Sequence, residues 1–361
     1  MEIKALLRES MKVKPASNRG ARQKTSTPKD VIRMNYNENP YGMSEAVKRA
    51  VTNAAVTSSM YQDFFAVDIK DKIAEMYGLT HDNILIGSGS SSAIDMIGEI
   101  FLNYGDEVVY SMPSYDAFPD MASDNGAVRV EIPLDKDFNY DLDAMLAAVN
   151  EKTKILVVVN PNNPTGTYID SAKLEAFIRK IPEHVLVVVD EAYVDYITAP
   201  GYYSMIKMIQ EGYDRPLIVL RTFSKIYGMA GLRIGYAVAD GIVIDELMKA
   251  SSAWNVSRAA ILAAEAALDD TAYPALMREK NAVNRKIVED GLRELGCRVI
   301  DSQTNFVYFK SKVDSKTVQK ELAERKLLIG KFDDFNRVSM GTEEQNELFL
   351  TYMKEIIDSA S

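Results

Sequence analysis

The sequence predicts an α/β protein: a large domain whose mostly parallel sheet is covered by helices, followed by a smaller α+β domain. Three observations lead there. Short apolar runs at 84–87, 107–110, 154–160, 184–190, 216–221 and 233–239 alternate with helix-length segments such as 93–102 and 171–181. Val, Ile and Leu runs spaced in this way mark parallel strands buried on both faces. From Ser257 the pattern changes to long helices at 259–268 and 274–295, then to isolated strands at 297–300 and 305–309, which reads as a second, smaller unit. The length of 361 residues suits two domains of this kind.

Taken in order, residues 1–33 are polar and irregular after a short amphipathic start and read as an N-terminal arm. Residues 34–256 form the large domain and 257–361 the small one. Within the large domain one link departs from the parallel pattern. The segment from Arg221 to Arg233 is short for a crossover and rich in Gly, so 233–239 is expected to return antiparallel. No apolar run approaches the roughly 20 residues that span a bilayer; the densest, 185–189, is strand-sized. The first 14 residues alternate charges with single apolar residues, so no signal peptide is expected.

Composition removes several classes of function. The net charge is −10, which disfavours nucleic acid and anionic membranes as partners. Arg19, Arg22 and Lys24 form the only basic cluster and read as a solvated arm. The single cysteine, Cys297, excludes an intramolecular disulfide and suits a reducing cytoplasm. Two histidines, His81 and His184, give no zinc spacing and little material for a Ser-His-Asp triad. Both are expected on polar connections, and no metal site is expected.

The chemistry collects after the apolar strands. Gly87-Ser-Gly-Ser-Ser-Ser92 opens a helix, Asn160-Pro-Asn-Asn-Pro-Thr-Gly166 follows 154–159, Asp190-Glu-Ala-Tyr193 follows 185–189, and Thr222-Phe-Ser-Lys225 follows 217–221. In an open α/β sheet the carboxyl ends of parallel strands face one crevice. Free N–H groups and hydroxyls at a helix start suit a phosphate; neither G-x-G-x-x-G nor a Walker GK[ST] is present. Each element alone has an ordinary reading as a turn, a cap or a solvated lysine. A lysine, a carboxylate, a tyrosine and an asparagine amide beside an anion cradle together match what pyridoxal phosphate needs.

At this point a family resemblance is plain. Asn163-Pro-Thr-Gly166, Asp190-x-x-Tyr193, Ser224-Lys225 and Arg233, eight residues beyond the lysine, resemble the fold-type-I aminotransferases. Asn35-Tyr-Asn-Glu-Asn-Pro-Tyr-Gly42, Ser302-Gln-Thr-Asn-Phe306 and Arg337-Val-Ser-Met-Gly341 resemble the histidinol-phosphate aminotransferase branch. The likeness runs from Val31 to Ile357. It implies that Lys225 holds pyridoxal 5'-phosphate as a Schiff base and then moves the substrate proton, and that Asp190 pairs with the ring nitrogen. Asn163 and Tyr193 would donate to the phenolic oxygen, and Tyr115 in Pro113-Ser-Tyr115 would stack on the ring. Ser90, Ser91, Thr222, Ser224 and Arg233 would hold the phosphate. Tyr61, in Ser59-Met-Tyr61-Gln-Asp63, would reach the phosphate of a second subunit, implying a homodimer with shared sites. Arg337 would fork onto the anionic end of the substrate, with Asn37, Lys331 and Trp254 as further pocket residues.

Two departures fall in the substrate pocket. The histidinol-phosphate enzymes usually carry Pro-Tyr where this chain reads Pro15-Ala16, and an arginine after the short strand at 327–329, where it reads Gly330-Lys331. Two alternatives stay open: Lys331 compensates as a point charge without the bidentate geometry, or the anionic end of the donor is a carboxylate that one arginine satisfies. The resulting expectation is a cytoplasmic aminotransferase that exchanges nitrogen between an amino donor and a 2-oxo acid by a ping-pong mechanism. Histidinol phosphate with 2-oxoglutarate stands first, and an aromatic or other amino acid next. A decarboxylase, cyclase or oxidase on the same fold stays open. A non-enzymatic regulator would need a DNA-binding module, for which the arm is too short.

Overall fold

The computed structural model describes residues 6–13 and 30–360. The basic cluster and Pro15-Ala16 lie outside the described residues. After α1 (Glu9–Val13), the chain runs through β1 (Ile32–Met34), α2 (Glu45–Thr57) and α3 (Val67–Tyr77) before entering the larger sheet. That part comprises β2 (Ile84–Gly87), α4 (Ser90–Phe101), β3 (Glu107–Met112), α5 (Ala117–Asp124), β4 (Val128–Pro133), α6 (Leu142–Ala148), β5 (Thr153–Val159), α7 (Ser171–Ile178), β6 (Leu186–Asp190), α8 (Ile206–Gln210), β7 (Leu217–Thr222) and β8 (Gly235–Ala239). The strand order is β2-β8-β7-β6-β5-β3-β4. Strands β4, β3, β5, β6 and β7 are parallel, while β8 runs antiparallel to both β7 and β2, as its short link from Arg221 requires.

Burial on two faces explains the unbroken Val runs. Val187 and Val189 of β6 pack with Leu156, Val158 and Val219 in one core, while Val188 packs with Ile155, Val157 and Ile218 in the other. Alternate residues point to opposite faces, so a strand covered on both sides is apolar throughout. Strand β4 was not among the expected apolar runs. It is the sheet edge and alternates Val128-Arg-Val-Glu-Ile, half exposed, so it never forms an apolar run.

The remaining chain forms α9 (Gly241–Met248), α10 (Arg258–Asp269), α11 (Ala272–Glu294), β9 (Arg298–Ile300), β10 (Phe306–Lys310), α12 (Ser315–Glu324), β11 (Leu327–Phe332), β12 (Phe335–Ser339) and α13 (Glu343–Ser359). A second sheet has the order β1-β11-β12-β10-β9. Its core joins Val307, Phe309, Leu327, Ile329 and Val338 to Val288, Phe349 and Met353 of the flanking helices. Two segments depart from the expected division. Residues Ile32–Met34, at the end of the arm, pair in parallel with β11. Helix α10 lies beyond residue 257, yet Ala260, Ala263, Ala264 and Ala267 pack in the core of the larger sheet, because its small residues let it sit close against α2. Among the described residues no helix is long and apolar enough to cross a membrane.

Candidate active site

Because β3, β5, β6 and β7 are parallel, their carboxyl ends deliver Tyr115, Asn163, Asp190 and Lys225 to one edge of the sheet, and all four line a single cleft. Ser90 and Ser91, at the start of α4, line it from β2. Gly89 has a φ of +78°, and a Cβ there would stand 2.5 Å from a guanidinium nitrogen of Arg233. Only a glycine lets Arg233 lie this close to the helix start. The Arg233 guanidinium donates to the carbonyl of Ala230 at 3.1 Å and to the Ser224 Oγ at 3.4 Å. At Gly235 a Cβ would meet the Ser90 backbone nitrogen at 2.5 Å, so the entry to β8 seals the cradle from below. Helix N–H groups, hydroxyls and one guanidinium converge here, the donor set of a phosphate site.

Asp190 ends β6 and is buried. Burial pushes its carboxyl up to about 6; the Ala192 N–H, which donates to it at 3.0 Å, and the charge of Lys225 act in the other direction. No cation stands within ion-pair distance of it among the described residues. The Lys225 Nζ lies 5.2 Å from the centroid of the Tyr193 ring, and among the described residues it makes no hydrogen bond or ion pair. A buried carboxylate that needs a cation, an amine without a partner and an anion cradle fit pyridoxal phosphate, which brings a protonatable ring nitrogen, a carbonyl and a phosphate. Tyr115 stands over the cleft, edge-on to Phe118 at 6.3 Å, and burial raises its phenol, which also bonds Ser91.

The second sheet closes the cleft with Arg337. Its guanidinium donates to the Asn163 side-chain carbonyl and, at 2.9 Å, to the carbonyl of Asn35, while Nε has no partner. The rings of Phe332 and Phe306 lie 4.8 and 5.2 Å from it. With its oxygen held by Arg337, Asn163 is left with its amide nitrogen as the donor to the cleft. Asn37 lines the cleft, but its amide is committed. It donates to the Tyr193 hydroxyl at 2.8 Å and accepts from the Ser339 Oγ at 2.9 Å. It therefore positions Tyr193 and is not a free substrate contact.

Three expected residues stand elsewhere. Lys331 is exposed, and the β11–β12 register pairs Gly330 with Arg337 and Lys331 with Asn336. Paired residues share a face, so Lys331 points away from Arg337, and the residue of β11 that shares a face with Arg337 is Gly330. Trp254 lies outside the cleft, stacked on Tyr61 with centroids 4.5 Å apart and edge-on to Phe64. Tyr61 is 74% exposed and does not reach the cleft of its own chain. Conversely, Tyr36, Glu38, Ser114, Asp116 and Phe332 line the cleft and were not singled out. Tyr36 and Glu38 sit inside the motif that begins at Asn35, and Asp116 directly follows Tyr115; Phe332 carried no signal. His81 and His184 are on the surface, against Asp71 and the carbonyl of Asn150.

This arrangement defines a pyridoxal-phosphate aminotransferase, and comparison with known proteins agrees. Residues 29–352 match the aminotransferase class I and II family, and the chain belongs to that family. More particularly, it is 36% identical over 334 residues to the histidinol-phosphate aminotransferase of Moorella thermoacetica, covering 91% of this chain and 86% of that one. It is also 36% identical to the enzyme of the same name from Bacillus subtilis, covering 91% and 92%. The crystal structure of histidinol-phosphate aminotransferase from Sinorhizobium meliloti with pyridoxal 5'-phosphate superposes with a TM-score of 0.86 at 28% identity, covering 92% of each chain.

Proposed function

We propose that this aminotransferase takes histidinol phosphate as amino donor and 2-oxoglutarate as acceptor, in a two-step ping-pong exchange. When bound, pyridoxal phosphate supplies the electron sink that makes the donor Cα–H acidic. Ser90, Ser91, Thr222, Ser224 and Arg233 hold its phosphate at the start of α4. The Asp190 carboxylate accepts from the ring nitrogen and keeps it protonated, and the paired charge offsets the burial that raises its pKa. Asn163 and Tyr193 donate to the phenolic oxygen, and their fixed orientation needs no rearrangement during reaction. Tyr115 covers one ring face. Lys225 would hold the cofactor through its Nζ, and the same amine, when free, would be the group that takes up and gives back the donor Cα proton. Arg337 holds the anionic end of the donor, its aromatic flanks excluding water.

One observation carries the reading: Lys225, Asp190, Asn163 and Arg337 come from separate strands and both sheets, yet they line one cleft. The names of the relatives point to the donor. A cytoplasmic location accords with the single cysteine. We further propose a homodimer in which Tyr61 reaches the partner's cofactor phosphate. Met60, Tyr61, Phe64, Phe65 and Trp254 are all exposed, and an aromatic patch of this kind marks a contact surface.

A second reading, a carboxylate-bearing amino acid as donor, is favoured by Gly330. One bidentate guanidinium satisfies a planar carboxylate, whereas a tetrahedral dianion presents more acceptors than one fork covers. Specificity constants for histidinol phosphate and a panel of amino acids decide between them. A lead of a hundredfold for histidinol phosphate supports the first reading; a lead for an amino acid replaces it. Lys225→Ala should abolish both reactions and the borohydride-reducible adduct.

A further inference from the structure

Asp116 stands at the N-cap of α5 with a φ of −61°, yet its carboxylate accepts no hydrogen bond from the helix. A capping aspartate has an extended backbone, whereas Asp116 is helical there, so its carboxylate is not held by the helix start. The residue is exposed at the edge of the cleft, and among the described residues its carboxylate makes no hydrogen bond or ion pair. Of the other acids of the cleft, Glu38 is paired with Arg33 at 2.6 Å, and Asp190 is the carboxylate assigned to the cofactor ring. Asp116 and the buried Arg337 line the same cleft. Around that space stand the rings of Tyr36 and Phe332.

We propose that Asp116 determines donor specificity, its carboxylate accepting from a ring N–H of a nitrogen-heteroaromatic side chain while Arg337 holds the donor's anionic end. The cleft then selects a flat, N–H-bearing ring between aromatic walls, and discriminates against a phenyl ring of the same size. Asp116 is exposed in the free protein, so a bound apolar ring would displace water from its carboxylate and return no donor, a mismatch that discriminates better than a small change in apolar area. This inference rests on the aminotransferase reading. It is independent of whether the anionic end is a phosphate or a carboxylate.

The test uses matched pairs on the holoenzyme. Histidine and phenylalanine share a carboxylate and differ in the ring, so their specificity constants give a ratio free of the phosphate question. Imidazolepropionate and phenylpropionate, which lack the amine, give the same ratio as dissociation constants by calorimetry. The wild type should favour the imidazole member of each pair. Asp116→Asn and Asp116→Ser should each lower both ratios by roughly ten- to a hundredfold, the worth of one charge-assisted hydrogen bond. The Asp116 carboxylate makes no cap bond to α5, so Asp116→Ser should melt no lower than the wild type while still losing the ratio, which separates recognition from a structural role. Ratios unchanged in both variants would overturn the proposal. A binding ratio that falls as expected while no donor converts the cofactor would uphold Asp116 and overturn transamination.

Discussion

Asp190 shows how much one residue's environment decides. Burial holds its carboxyl at about 6 instead of the ordinary 3.8. Between those values the folded, cofactor-free protein retains a proton that the unfolded chain has released, so stability falls as pH rises through this window. The difference amounts to about 3 kcal/mol once Asp190 is fully ionised. Denaturant unfolding of the cofactor-free protein at pH 4 and pH 7.5 should show this loss in the wild type and lack it in Asp190→Asn. Glu191, also raised by burial, pushes Asp190 up through its charge, so Glu191→Gln and the double variant complete the comparison. Adding pyridoxal phosphate should remove the slope, because a ring cation beside Asp190 stabilises its charged form. A slope of equal size in the variant would assign it to other groups. At this same scale the strand-end placement of Lys225 and Asp190 follows from reading the chain alone. The commitments of the Asn37 and Asn163 amides do not, because their partners, Tyr193 and Arg337, lie more than 150 residues away.

At the scale of elements, the cofactor cradle depends on how closely β8 approaches the start of α4. A methyl group at Gly235 would meet three backbone atoms, the Ser90 nitrogen at 2.5 Å and the Arg221 oxygen and Gly89 carbon at 2.9 Å. None is the end of a flexible side chain, so the strand or the helix must move. Gly235→Ala should therefore destabilise the protein by about 1–3 kcal/mol and weaken pyridoxal phosphate binding at least tenfold, measured by thermal melting and by cofactor titration. Wild-type affinity would mean that the cradle tolerates the shift. The apolar runs foretold β2, β3, β5, β6, β7 and β8, since a strand covered on both faces needs no partner pattern to be recognised. They passed over β4, an exposed edge, and β12, whose Phe335-Asn-Arg-Val-Ser339 carries polar residues that are buried only because β10 and β11 flank it.

For the whole molecule, the exposed aromatic group of Tyr61, Phe64 and Trp254 is the surface on which the proposed dimer rests. Sedimentation at assay concentration should give a dimer. Tyr61→Phe should keep that dimer and weaken cofactor binding by about tenfold or less, the worth of one hydrogen bond; a fully active monomer would overturn the arrangement. What the sequence determined by itself was local in origin. Residue period set the strands, and Gly, Ser, Asn and Asp after them set the loops. Because those strands are parallel, their chemistry had to gather at one edge. The tertiary structure alone decided which face each small-domain residue presents. Lys331 and Gly330 are neighbours in the chain, yet only Gly330 shares a face with Arg337. Side chains alternate with every residue of a strand, so a difference of one position in register exchanges a cleft residue for a solvent one. Pairing with β12 fixes that register, a contact between strands that the local period of β11 does not report.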